Sequence, residues 1–172
     1  MTKKIIRHLS IFLVNHVFCG TKYYPIKRRL MRLAGHRIGR GTNIVGPVYC
    51  TGRLIVGAGS HLGKNLRING NGSVVIGDNC DIAPEVTFMT GGHKIGKASR
   101  RAGKGESYCI RVGSGTWIGA RSSVVRSVRI GSGCVIAACS CVTKNLADNG
   151  LYGGVPARLI RRLDSDVQDT KK

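Results

Sequence analysis

An all-β solenoid, a parallel β-helix of short strands, is the fold class this sequence predicts, and three observations predict it. An apolar residue returns at every sixth position through Ile38, Ile44, Cys50, Val56, Leu62 and Ile68. Two residues out of phase, the series resumes through Ile76, Ile82 and Phe88 and, after a gap of whole sixes, through Val112, Ile118, Val124, Ile130, Ile136 and Val142. The position four after the apolar site is mostly small or β-branched: Thr42, Val48, Ser60, Leu66, Cys80, Val86, Thr116, Ser122, Val128, Cys134 and Ser140. The position directly after it is mostly Gly or Ala: Gly39, Gly57, Gly63, Gly77, Ala83, Gly113, Gly119, Gly131 and Ala137. With 42% hydrophobic residues in the chain, independent draws would make all fifteen of these sites apolar about twice in a million trials.

The spacing has a physical meaning. A helix asks for apolar returns at three and four residues and a half-exposed strand at two, so six is a two-fold alternation interrupted by a corner. The site four after the aliphatic lies two before the next one and shares its face, where a narrow interior accepts only slim side chains. The Gly or Ala site marks the corner, where the chain turns and backbones crowd. The stretch Val74-Val75-Ile76 is where the phase shift is expected to be absorbed.

The elements follow in chain order. Residues 1–37 form a basic helical segment, 38–152 the repeat, and 153–172 a C-terminal extension. Residues 3–18 read as an amphipathic helix with Ile5, Leu9, Phe12, Leu13 and His16 on one face and Lys3, Lys4 and Arg7 beside it, capped by Thr2 and stopped by Gly20. A second stripe after Pro25 (Ile26, Leu30, Leu33) is flanked by Lys27, Arg28, Arg29 and Arg32 and ends at Gly35. Such helices beside a repeat cover its open end, and basic residues bordering apolar faces also suit an anionic membrane surface. The apolar run Leu9 to Val14 is too short to span a bilayer. Phe18 and His16 are too bulky for a lipoprotein cleavage pattern before Cys19, so no export is implied. At 94–111 the due positions hold Lys94, Arg100 and Glu106, and KIGKASRRAGKGESYCIR reads as a loop thrown out from one corner. Leu159, Ile160 and Leu163 predict a short C-terminal helix, with a disordered tail after Asp164.

Composition narrows the partners. The 28 Lys and Arg against 8 Asp and Glu give a net charge of +20, which calls for an anionic neighbour such as a phosphorylated cofactor, a membrane face or an acidic glycan. Nucleic acid is disfavoured, since zinc-finger spacing, RNP-like aromatics and aromatics interleaved with the basic residues are all missing. Cys50, Cys80 and Cys134 occupy inward positions and read as small hydrophobes in a reducing compartment. Cys139 and Cys141 lack ligand spacing, so no metal site is expected.

The hexads IGDNCD (76–81), IGARSS (118–123) and IGSGCV (130–135) resemble those of the hexapeptide-repeat acyltransferases, and that resemblance implies a left-handed prism with three hexads per coil. The segments IAPEVTFMTGGH, VGSGTWIGARSSV, IGSGCVIAACSCVTK and YGGVPARLI narrow it to the sugar, galactoside and polysaccharide O-acetyltransferase branch, over about 56–163. The resemblance implies that His93 is the general base, taking a proton from an acceptor hydroxyl that attacks the thioester of acetyl-CoA. An imidazole, with an ordinary pKa of about 6.5, suits that step. Glu85 or a backbone carbonyl would fix its tautomer. At the branch's two acceptor-binding positions, an Asn and an Asp, this chain has Gly63 and Asn71, so Asn65, Asn69 and Asn71 become the acceptor-binding candidates. Trp117, Gly119, Ala120, Ala138, Thr143 and Lys144 match positions lining the CoA groove. Arg158 and Arg161 match basic residues near its nucleotide phosphates.

The resemblance further implies a homotrimer with each active site between two prisms. The expected activity is acetyl transfer to a sugar hydroxyl of a surface polysaccharide or lipid-linked glycan, by a cytoplasmic protein peripheral to the inner face of the plasma membrane. The rivals are a xenobiotic or antibiotic O-acetyltransferase and a non-catalytic membrane-associated scaffold. A zinc-dependent hexapeptide carbonic anhydrase is disfavoured because the prism holds only His61 and His93.

Overall fold

The hexads form a solenoid because each short strand finds its hydrogen-bond partner one coil above and one below. The computed structural model describes residues 3–164, so the expected cap at Thr2 and the tail after Asp164 lie outside the described residues. Three parallel sheets form the faces of a left-handed prism. The first face stacks Arg37–Ile38, Arg53–Val56, Ser73–Ile76, Cys109–Val112 and Arg129–Ile130. The second stacks Asn43–Ile44, His61–Leu62, Asp81–Ile82, Trp117–Ile118, Val135–Ile136 and Gly150–Gly153, and the third Val48–Cys50, Leu66–Asn69, Thr87–Met89, Ser123–Val125 and Cys141–Val142. The register follows the repeat, with Ile38 against Val56, Ile44 against Leu62 and Cys50 against Ile68.

Of the fifteen apolar sites, all but the half-buried Cys50 are buried, each large aliphatic contributing roughly 1.5–3 kcal/mol. The slim inward positions do more than fit. Buried hydroxyls link the coils: Ser60 Oγ donates to Gly77 O at 3.0 Å and accepts from Cys80 N, while Thr116 Oγ1 donates to Gly131 O at 2.8 Å and accepts from Cys134 N. A buried hydroxyl is tolerated because both its roles are filled. The corners divide their work between two positions. At the expected Gly or Ala site the backbones touch: a Cβ on Gly39 would lie 2.3 Å from Gly57 C. The left-handed residue that turns the chain comes two positions later, at Gly41, Gly59, Asn65, Asn79, Glu85, Arg121 and Cys139.

Helix α1 covers Lys3–Phe12, continues as a π-helical turn over Leu13–Val17, and is followed by α2, Tyr24–Leu33. They cap the open end of the prism, where the first coil's carbonyls have no strand beneath them. Arg7 donates to Cys50, Thr51 and Gly52 carbonyls, Arg28 to Thr42 O and Arg32 to Ile38 O. The buried Lys27 donates to Gly20 O and Val45 O, and burial lowers its pKa. Asn15 imitates a strand, accepting from Val48 N at 2.8 Å and donating to Val48 O at 3.0 Å. The face of α1 expected to pack is turned outward: Ser10 and Val14 are buried, while Ile5, Leu9 and Phe12 are about half exposed.

Three expectations are corrected. The phase shift is absorbed at the corner Asn69 to Gly72 and not in Val74-Val75-Ile76, which pair regularly with Leu54-Ile55-Val56. The excursion placed at 94–111 is a hairpin of Gly91–Ile95 and Ala102–Ser107, and Cys109–Val112 already belong to the first face. The C-terminal helix is a strand, Arg158–Arg162, antiparallel to Gly150–Gly153. Pairing with that open sheet edge outweighs the helical spacing of Leu159, Ile160 and Leu163.

Acid should loosen the junction between cap and prism. His36 is buried, its Nδ1 accepts from Leu54 N at 3.3 Å, and its Nε2 has no partner among the described residues. Burial first, and the charge of Arg7 second, push its pKa from 6.5 down to about 4. The folded value lies below the unfolded one, so this contribution is whole above about pH 6.5 and lost as pH falls toward 4, on the order of 2 kcal/mol by about pH 5. His36→Asn, which can still accept from Leu54 N, should flatten the fall in urea-unfolding stability across that window. An equally steep fall in the variant would assign it to other groups.

Candidate active site

The site begins as an irregularity in the repeat. At the corner from the third face to the first, Cys50 and Arg53 pair with Ile68 and Ser73, so one coil spans the corner with Thr51 and Gly52, the next with Asn69, the last residue of its strand, through Gly72, and the one after it expels the whole hairpin. The two insertions stack, with Thr90 N donating to Asn69 O at 2.7 Å. Glycine makes the stacking possible. Gly70 adopts φ +113°, and a Cβ there would lie 2.3 Å from Gly91 N; a Cβ on Gly92 would lie 2.7 Å from Tyr108 Oη. Between the corner and the hairpin opens a cleft of about 600 Å3 lined by Asn69, Asn71, Met89, His93, Glu106 and Ser107 with Gly70, Gly91, Gly92 and Gly105.

His93 is an exposed residue on the first hairpin strand, opposite Gly105. Its Nδ1 lies 2.8 Å from the carbonyl oxygen of Gly103. A carbonyl only accepts, so Nδ1 carries the proton and Nε2 keeps the lone pair, the tautomer a general base requires. Glu85 is committed elsewhere, accepting from Arg121 Nε at 2.8 Å. Glu106, which the sequence offered only as a break in the repeat, lines the cleft and is held from outside its lining: Tyr108 Oη donates to Glu106 Oε2 at 3.2 Å, and Lys94 Nζ stands 3.9 Å from Glu106 Oε1. Loss of water around the ring, then the hydrogen bond to Glu106, pushes the Tyr108 phenol up. Glu106 is the only carboxylate on a hairpin that carries Lys94, Lys97, Arg100, Arg101 and Lys104.

Of the acceptor candidates, Asn69 and Asn71 line the cleft and Asn65 does not. Asn65 sits at the corner between the second and third faces with φ +60°, a conformation asparagine tolerates. Gly63 is buried at that same corner. The donor candidates are spread over the prism. Trp117, 54% exposed, stands in a row with Asp81 and His61 on the second face, beside a groove of about 480 Å3. Gly119, Ala120 and Ala138 occupy the corner between the second and third faces, where a Cβ on Gly119 would meet Ala138 N at 2.6 Å. Thr143 and Lys144 lie at the hairpin's own corner two coils on, and the exposed Arg158 and Arg161 are on the terminal strand, Arg161 opposite Leu151. None of these eight lines the His93 cleft within one chain.

Comparison with known proteins agrees with this architecture. The family model "Bacterial transferase hexapeptide (six repeats)" matches residues 110–144. The galactoside O-acetyltransferase of Escherichia coli (strain K12) is 35% identical over 133 residues, 74% of this chain, and the chain spans 64% of that relative's length. The Saccharomyces cerevisiae protein YJL218W, provisionally named an acetyltransferase, is 35% identical over 131 residues, 73% of this chain and 67% of its own. A solved galactoside acetyltransferase in complex with coenzyme A overlays with a TM-score of 0.81 at 28% identity, covering 94% of this chain and 81% of its own.

The stacked corners make a sharp contrast between glycines. Gly70→Ala combines a left-handed backbone with a collision against Gly91 N, and should cost about 2 kcal/mol or more in denaturant unfolding. Gly105→Ala, whose Cβ meets nothing within 4 Å, should be close to silent. Equal stability of the two variants would show that the hairpin does not rest on Gly70.

Proposed function

The chain belongs to the hexapeptide-repeat acetyltransferases, and from that membership we propose that it transfers acetyl from acetyl-CoA to a sugar hydroxyl, on a surface polysaccharide or lipid-linked glycan. The observation that carries the reading is the hydrogen bond from His93 Nδ1 to Gly103 O, which leaves Nε2 as a base at an open cleft. In the proposed reaction His93 Nε2 takes the hydroxyl proton as the acceptor oxygen attacks the thioester carbonyl. The C–S bond then breaks, and the departing CoA sulfur receives the proton from the imidazolium. Asn69 and Asn71 offer amide donors and acceptors to the sugar.

We assign the donor to a neighbouring copy in a homotrimer. Two facts support this: Trp117 on the second face and Gly119, Ala120 and Ala138 at the next corner lie away from the corner that carries His93, and none of them lines its cleft within one chain. Trp117 and the small corner residues fit a groove in which a ligand runs close to backbone, and Arg158 and Arg161 supply guanidinium groups for its phosphates. The reading sets the protein in the cytoplasm, with acetyl-CoA as its donor substrate.

His93→Ala should lower turnover roughly 10²- to 10⁴-fold while CoA binding persists; full turnover would remove the general-base role. Arg161→Ala should chiefly weaken the CoA isotherm, and an unchanged isotherm would remove the phosphate contact. Labelled acetyl-CoA offered with free sugars, nucleotide sugars, lipid-linked glycans and antibiotics identifies the acceptor class. Label passing only to antibiotics would replace the glycan, and label passing to none would sink the reading.

A further inference from the structure

The helical cap has two surfaces, and the prism uses only one. Ser10, Val14, Lys27 and Met31 are buried against the first coil. On the other side of α1, Ile5, Leu9 and Phe12 recur at helical spacing with 52%, 49% and 54% of their surface exposed, and Phe12 stacks on His16 at 4.7 Å. Exposed Ile26 and Leu33 recur seven residues apart on α2, and Leu33 shares a groove with Lys4 and Ile6. Apolar side chains left in water across two helices mark a docking surface.

Charge identifies the occupant. The first acidic residue of the chain is Asp78, so nothing in the cap or in the first two coils is negative. Arg7, Lys27, Arg28 and Arg32 are engaged with first-coil carbonyls, while Lys4, which shares a groove with Leu33, and Arg29, at helical spacing between Ile26 and Leu33, remain exposed. A second copy's cap is a poor partner for the stripe, because it brings the same acid-free surface and no carboxylate to meet the cations here. No helix among the described residues is long and apolar enough to cross a membrane. A short helix with one apolar face, cationic flanks and no acid matches the physics of interfacial binding, in which the apolar side chains enter the boundary between headgroups and acyl chains and the cations meet lipid phosphates.

We infer that the outward face of α1, with the exposed residues of α2, docks this protein on an anionic lipid surface. The inference does not depend on acetyl transfer, and its test reads lipid binding alone.

The test is co-sedimentation of the full chain with vesicles of phosphatidylcholine, with and without about one-third phosphatidylglycerol. Because a protein of +20 binds anionic vesicles to some degree through charge alone, the deciding comparison is the triple variant Ile5→Ser, Leu9→Ser, Phe12→Ser. These side chains are half exposed, so the variant should keep its circular dichroism and thermal midpoint, and its affinity for the anionic vesicles should fall about tenfold or more. Lys4→Glu with Arg29→Glu gives a second variant outside the hydrophobic stripe, which should weaken binding most at low salt. Three results would overturn the docking surface: no binding by the wild type, unaltered binding by a folded triple variant, or equal binding to vesicles without phosphatidylglycerol. A triple variant that loses self-association on light scattering while binding vesicles as before would show that the stripe joins copies of the chain, and would overturn it too.

Discussion

The pairing of each coil with its neighbours fixes the length of every coil. A strand locked above and below cannot accept an extra residue without losing its register, and every apolar side chain in it would change face. Extra residues therefore leave at a corner. Two leave at Asn69 to Gly72, and a hairpin leaves at the same corner one coil later. Because they leave at the same corner, the second insertion rests on the first, through Thr90 N to Asn69 O and through Gly70 under Gly91. The cleft is the space left between two insertions that the prism could not absorb.

The same pairing rule leaves the two ends unfinished, and the chain closes them differently. At the start, a row of carbonyls with no coil beneath it is met by Arg7, Lys27, Arg28 and Arg32 and by the strand-like amide of Asn15. Several cations of this basic terminus are thus hydrogen-bond donors of the cap, and the charge left for a partner is the exposed remainder. At the other end the chain turns back, and Arg158–Arg162 pairs with Gly150–Gly153. A helix there would have left that edge open, so the edge prevails over a helical pattern whose apolar residues Leu159 and Ile160 end up exposed.

Period six made the prism legible, because one face of each hexad must be apolar and the core has no other way to form. Phe88 and Val112, on either side of the gap, fall where the spacing put them, as do Thr42 and Ser140. His93 and Asn71 were legible as a pair only through resemblance. Glu106 was hidden as a site residue, with the Tyr108 that hydrogen-bonds to it, since it joins the cleft through a hairpin fold whose closing turn carries no repeat. The outward orientation of α1 was hidden for a different reason. Its two faces are both partly apolar, and hydrophobic pattern alone cannot say which one the prism takes when Val14 and Ser10 pack as well as Leu9 and Phe12.

The hairpin carries both the imidazole and the carbonyl that orients it. His93 and Gly103 are ten residues apart on opposite strands of one insertion, so the tautomer is set by hairpin closure and not by any side chain of the core. The hairpin's own carboxylate, Glu106, is engaged instead by Tyr108 and Lys94. A backbone carbonyl comes with the hairpin, and the exposed tip can vary in length and charge without disturbing either partner. The core then needs only to present a corner that tolerates an insertion, which is why a fold with so little freedom along its strands can still change what it binds at its edge.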